Sequence, residues 1–133
     1  MSTSANLRIG VIGNQKITQK LIESLSAAGH ELTVLITVGT EKQQVATDFC
    51  DLANLEFSEQ TKVIETGSFD LNAALTKEHK ALLASCDFVF VYGWQRLISI
   101  EILNLVRSGF FGVHGGPFPP PRCRGQAVLN WAL

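Results

Sequence analysis

A histidine between an apolar run and two glycines is the clearest candidate for chemistry in this chain. Residues 110–113 (FFGV) predict a strand that ends at His114, and a histidine at a strand tip can exchange a proton near neutral pH. Gly115 and Gly116 let the backbone approach a ligand closely, and the prolines that follow stiffen the loop. The alternative is a plain proline-rich turn that happens to contain a histidine.

A cysteine in the same loop supports a second, weaker hypothesis. Cys123 lies between Arg122 and Arg124, whose guanidinium groups would favour the thiolate form. His114 would then be the base of a Cys–His nucleophile. Nothing in the sequence orients that pair.

The segment after another apolar strand carries aromatic residues that suit a flat ligand. Tyr92 and Trp94 flank Gly93, and residues 95–98 (QRLI) complete the loop. Aromatic rings and exposed backbone at a strand tip could hold a heterocycle by stacking and hydrogen bonds. The alternative is that Tyr92 and Trp94 only cap the core.

The first strand ends in a glycine-containing turn, GVIGNQK. The dinucleotide fingerprint requires a third glycine and an acidic residue at the end of the second strand, and both are missing. The backbone amides of Gly13, Asn14 and Gln15 open a helix and could hold a phosphate or another anion. A purely structural strand-to-helix turn is the competing interpretation.

Strands and helices alternate along the chain, which predicts an α/β protein with a doubly wound, mainly parallel sheet. In such sheets ligands bind at the carboxyl ends of the strands, where Gly13, Tyr92 and His114 would meet. We expect a helix with an irregular end over residues 41–55, which are mixed in character, and a helix over residues 71–84. The predicted strands are residues 8–12, 32–38, 62–65, 87–92 and 110–113.

Composition narrows the classes of function. The 133 residues carry a formal net charge of −1 and contain three cysteines without a zinc-site pattern. We therefore expect one domain spanning residues 1–133, in a reduced, cytoplasmic setting, with no metal, nucleic acid or membrane as partner. Residues 126–133 (QAVLNWAL) predict an apolar helix that would favour a homo-oligomer if left exposed.

Two segments together resemble one family. YGWQRLISIEIL and GFFGVHGGPFP…RCRGQAVLNWAL are similar to the folate-dependent formyltransferases, which include glycinamide ribonucleotide, methionyl-tRNA and sugar N-formyltransferases and the related formyl-tetrahydrofolate hydrolases. The resemblance implies the Rossmann-like N-terminal domain of such an enzyme, incomplete and lacking its last strands. It implies formyl-tetrahydrofolate as the donor, no metal, and a primary amine as the acceptor, for example an amino sugar or a nucleotide-linked amine.

The resemblance also assigns roles to individual residues. His114 falls on the catalytic histidine, and the donor pocket would be lined by Tyr92, Gly93, Trp94, Arg96, Leu97 and Ile98. The acceptor side would be formed by Gly13, Asn14, Gln15, Gly115, Gly116 and Arg124.

Two departures from the family pattern bear on activity. The family usually has an asparagine two residues before the histidine, as an oxyanion donor, and this chain has Gly112. The family's catalytic aspartate would lie beyond Leu133, so we expect a fragment of low or no activity. A formyl-tetrahydrofolate hydrolase and a non-catalytic folate-binding or interaction module are the alternatives.

Overall fold

A computed structural model of the chain describes residues 7–46 and 48–112. This part of the chain contains four α-helices and five β-strands. The strands are β1 (Ile9–Ile12), β2 (Leu32–Val38), β3 (Lys62–Thr66), β4 (Phe88–Val91) and β5 (Phe110–Gly112). The helices are α1 (Lys16–Ala27), α2 (Leu71–Ala74), α3 (Lys77–Ala84) and α4 (Ile100–Leu103). Their order along the chain is β1-α1-β2-β3-α2-α3-β4-α4-β5.

The five strands form one sheet in which every pair of neighbours is parallel, in the order β3-β2-β1-β4-β5. The chain therefore starts in the middle of the sheet, builds outwards to β3, and returns to the other side of β1. All four residues of β1 are buried, as expected for a strand covered on both faces. The predicted α/β class and parallel sheet are confirmed.

Apolar side chains cover both faces of this sheet. On one face Val11, Leu35 and Ile22 of α1 belong to a single buried cluster. On the other face Ile12 and Ile36 join a cluster that includes a residue from each remaining helix. These residues are Leu71 of α2, Leu83 of α3 and Ile102 of α4.

The predicted helix over residues 41–55 is wrong. This stretch contains one short 3-10 turn (Thr40–Lys42) and is otherwise irregular. Its backbone forms hydrogen bonds with the first turn of the chain. Cys50 N–H donates to Asn14 O, and Phe49 forms an isolated β-bridge with Gln15. Asp48 has φ of 51°, which an α-helix does not allow.

The predicted helix over residues 71–84 is interrupted. Leu75 is extended, and Thr76 begins α3 as its N-cap by accepting a hydrogen bond from His79 N–H at 3.1 Å. The threonine cap explains the break, since a capping residue itself has extended dihedrals. Ser99 caps α4 by accepting a hydrogen bond from Ile102 N–H.

Several sequence-based expectations fall outside the described residues. These are the roles of His114, Gly115, Gly116 and Arg124, the Cys123–His114 pair, and the predicted helix over residues 126–133. Between Leu7 and Gly112, none of the helices has the length and apolar character needed to cross a membrane.

Candidate functional site

The strand order reverses between β1 and β4, and the candidate site is built at the carboxyl ends of these two strands. Ile12 is the register partner of Val91, and Tyr92 N–H donates to Ile12 O at 3.0 Å. Asn14 N–H in turn donates to Gly93 O at 3.0 Å. The structure therefore brings the first turn and the aromatic segment together, at the place where open α/β sheets bind ligands.

Thr18, which sequence reasoning missed, ties these two segments to each other. Its buried hydroxyl donates to Tyr92 O and accepts from Gln15 N–H at 3.2 Å. Glycine is required at both flanking positions. A Cβ atom at Gly13 would overlap Tyr92 O and the Thr18 side chain, and Gly93 has φ of +82°.

The anion hypothesis for the first turn loses its named donors. The amides of Gly13, Asn14 and Gln15 already donate to Ile36 O, Gly93 O and Thr18 Oγ1 respectively. The next two amides, at the start of α1, have no intrahelical acceptor by the geometry of a helix N-terminus. They belong to Lys16 and Ile17, so an anion at this turn would have to bind there.

Charges around this turn are mixed. Lys16 Nζ lies 3.6 Å from a carboxylate oxygen of Asp48, and both side chains are well exposed. The pKa of the Cys50 thiol is raised by burial and, in addition, by the nearby carboxylates of Asp48 and Asp51. Cys50 therefore remains a protonated thiol at neutral pH, with its Sγ 3.0 Å from Gln19 Oε1.

Two polar side chains at this edge are buried without hydrogen-bond partners among the described residues. They are the side-chain amide of Asn14 and the hydroxyl of Thr37, and both are fully buried. Leaving such a group unpaired costs about 1–3 kcal/mol. The unpaired groups of Asn14 and Thr37 at the carboxyl ends of β1 and β2 therefore lower the stability of the folded protein.

The aromatic segment is supported from the loop after β3. Trp94 Nε1–H donates to Phe69 O at 3.2 Å, and the two rings meet edge to face with centroids 5.0 Å apart. Trp94 also packs against the core cluster shared by α2, α3 and α4. The ring of Trp94 thus anchors the aromatic segment to the core, which favours the core-capping interpretation for this residue.

Three consecutive residues after Gln95 have backbone groups without hydrogen-bond partners among the described residues. Within the part of the chain that the structure describes, no backbone N–H or C=O group of Arg96, Leu97 or Ile98 takes part in a hydrogen bond. Leu97 is 72% exposed, whereas Ile98 packs into the core and anchors the segment. Free donors and acceptors beside an exposed apolar side chain suit the polar edge of a flat heterocycle.

β5 brings its own carboxyl end to the same edge. Gly112 is the register partner of Val91, so β5 ends beside the strand that leads into the aromatic segment. Among the described residues, the nearest atom to a Cβ at Gly112 would be Val91 O, at 3.8 Å. A Cβ atom therefore makes only an ordinary contact with this part of the chain.

No protein-family model matches this sequence. Residues 7–46 and 48–112 contain no group of three or more histidine, cysteine, aspartate or glutamate side chains that could hold a metal ion.

Proposed function

We propose that this protein belongs to the folate-dependent formyltransferases and takes part in transferring a formyl group from formyl-tetrahydrofolate to a primary amine. The two segments that carry the resemblance lie in the sequence directly after β4 and across β5. Since β4 and β5 are neighbouring parallel strands, their carboxyl ends reach the same edge of the sheet. The strand order also supports a Rossmann-like domain, in which that edge binds the ligand.

The observation that carries the proposal is the unpaired backbone of residues 96–98. A pterin-like ring presents alternating donors and acceptors along one edge. Arg96, Leu97 and Ile98 offer three consecutive peptide groups without partners among the described residues. The exposed side chain of Leu97 offers an apolar contact for the ring face. These residues therefore fit a folate-type donor.

The chemistry requires little more than orientation and movement of one proton. The bound donor supplies an activated formyl carbon, which the neutral amine attacks. The bond between the formyl carbon and the folate nitrogen then breaks, and that nitrogen takes up a proton as tetrahydrofolate leaves. We assign to His114 the removal of the proton that the attacking nitrogen loses. Gly115, Gly116, Arg124 and the turn at residues 13–15 would bound the acceptor side.

A binding module without catalysis is the second candidate, and Gly112 favours it. A glycine cannot donate a side-chain hydrogen bond to a developing oxyanion, and such a donor is typically worth a factor of about 10² to 10³ in rate. Under this candidate the chain would bind the donor through residues 96–98 and transfer nothing.

The test is an assay of the full-length protein with labelled formyl donor, with and without a panel of primary amines. Formylated amine would identify a transferase, and formate released in the absence of amine would identify a hydrolase. His114→Asn should abolish either reaction, whereas His30→Asn, which alters an exposed histidine far along the chain, should not. Absence of both turnover and equilibrium binding of 5-formyltetrahydrofolate would refute the proposal.

A further inference from the structure

Two successive residues in the loop after β3 contact residues 94–98, the donor segment. Phe69 accepts a hydrogen bond from Trp94 and packs against its ring, and the carboxylate of Asp70 lies 4.0 Å from the guanidinium of Arg96. We propose that Phe69 and Asp70 are positioning residues, which hold residues 94–97 in the conformation that binds the donor. This inference rests on the proposed function, because it assigns a role at the same site.

Phe69 controls Trp94 through two different groups. Its carbonyl oxygen accepts the indole N–H, which fixes how far the indole enters the core. Its ring meets the indole at an interplanar angle of 66°, which restricts rotation of the indole about its long axis. Because an edge-to-face pair has a preferred geometry, the two contacts together define one orientation of Trp94.

The donor segment needs this external support. Its backbone makes no hydrogen bonds at residues 96–98 within the described chain, so no secondary structure fixes its dihedral angles. Its position depends on side chains: Trp94 and Ile98 in the core, and Gln95, whose Nε2 donates to Val45 O at 3.3 Å. Trp94 is the first of these anchors after β4, and its position is fixed by the hydrogen bond to the Phe69 carbonyl and the contact with the Phe69 ring.

The supporting loop is itself well fixed. Thr66 Oγ1, at the end of β3, donates to Ser68 O at 2.9 Å, and Asp70 N–H donates to Ser68 Oγ at 3.0 Å. Asp70 is the N-cap of α2, and the next residue, Leu71, is buried in the core. A loop tied at both ends can transmit the position of β3 to the donor segment.

The ion pair of Asp70 with Arg96 is the weaker contact. The two side chains are 42% and 62% exposed and their charged atoms are at the limit of an ion pair. Exposed pairs of this kind contribute little and are screened by salt. We therefore assign the larger effect to Phe69 and a smaller, salt-dependent one to Asp70.

The experiment measures the dissociation constant of 5-formyltetrahydrofolate by equilibrium dialysis on the full-length protein. Phe69→Leu and Trp94→Phe should each raise it by about two- to tenfold, the range expected for losing one aromatic pair or one hydrogen bond. Phe69→Tyr keeps the ring and should bind like the unaltered protein. Asp70→Asn should cause a smaller rise that disappears at high salt.

Phe57→Leu is the matched control, since Phe57 is also half-buried but packs on the opposite face of the sheet. It should lower the melting temperature about as much as Phe69→Leu does and leave donor binding unchanged. The near-ultraviolet circular dichroism of Trp94 should change in Phe69→Leu and not in Phe57→Leu. The KM for the amine should be the same in all folded variants.

The outcomes separate this inference from the proposed function. If the unaltered protein binds the donor and both Phe69→Leu and Trp94→Phe bind it equally well, the positioning role is overturned while the donor site stands. If Phe57→Leu weakens binding as much as Phe69→Leu, the effect is one of general stability and the inference fails. If the unaltered protein does not bind 5-formyltetrahydrofolate, the proposed function fails and this inference fails with it.

Discussion

Replacement of Gly112 by asparagine tests the proposed reaction by a gain of activity. Gly112 ends β5 and stands where the resembled family usually has the oxyanion-binding asparagine. The nearest atom to an added Cβ is Val91 O at 3.8 Å, an ordinary contact distance. Phe110 packs into the cluster that also contains Trp94 and Ile98. Because side chains alternate along a strand, residue 112 faces the same side as Phe110 and the donor segment.

The expected gain follows from the value of one oxyanion donor. Removing such a donor typically lowers kcat by a factor of about 10² to 10³, or about 2.7–4 kcal/mol of transition-state stabilisation. Adding it at residue 112, where a Cβ atom makes only an ordinary contact with the described residues, should restore a similar factor. The fold should not suffer, because a glycine within a strand is about 0.5–1 kcal/mol less favourable than alanine.

The assay compares formyl transfer at saturating donor and amine in the unaltered protein and in three variants. Gly112→Asn should raise kcat by about 10²-fold or more, since it adds an amide N–H donor. Gly112→Ala adds a side chain without a donor, and Gly112→Asp has nearly the same shape but only accepts. Neither should raise kcat. Equal rates in Gly112→Asn and Gly112→Ala, with donor binding intact, would refute the assignment of this position.

Three further predictions concern the edge of the sheet and the core beneath it. Gly13→Ala should destabilise the protein by about 1–3 kcal/mol in urea unfolding, because the added Cβ overlaps Tyr92 O and the Thr18 side chain. Gly67→Ala is the control and should be close to neutral, since no described atom lies within 4 Å of its Cβ. Equal effects of the two substitutions would contradict the steric argument. Thr18→Val should cost about 1–3 kcal/mol by leaving buried polar groups unpaired, and an unchanged midpoint would contradict that role. Burial raises the pKa of the Cys86 thiol from 9.0 to about 11. The unfolded chain therefore loses this proton first, so the contribution of Cys86 to stability is complete below pH 9 and is lost as the pH rises to about 11. Cys86→Ala should remove that part of the pH dependence measured by urea unfolding, and an identical slope in both proteins would show that another group is responsible.

The strands could be predicted from the sequence because their residues are buried on both faces. Residues 32–38 (LTVLITV) form a continuous run of apolar and β-branched residues, and β2 has these same bounds. Residues 41–55 lack such a pattern. Their conformation depends on distant partners, such as Asn14 O for the amide of Cys50, and local propensity contains no information about those contacts.

The site was predictable only as far as topology determines it. Parallel strands place their carboxyl ends together, so the proximity of Gly13 and Tyr92 followed from the order of elements. The contacts that fix their geometry did not. Thr18 reaches Tyr92 across 74 residues, and Phe69 holds Trp94 across 25. A threonine inside a helix and a phenylalanine in a loop give no local signal of such roles.

The two glycines at this edge differ in a way that the sequence alone could not show. At Gly13 any side chain would collide with the Tyr92 carbonyl group, so packing requires a glycine there. At Gly112 the part of the chain that the structure describes imposes no such requirement, and the φ of Gly112 is not in the left-handed region that favours glycine. The described residues therefore do not explain why residue 112 lacks a side chain. If the proposed function is right, the kcat of Gly112→Asn should therefore rise above that of Gly112→Ala, because only asparagine adds a donor for the oxyanion. Equal rates would mean that residue 112 does not lie beside the reacting formyl group.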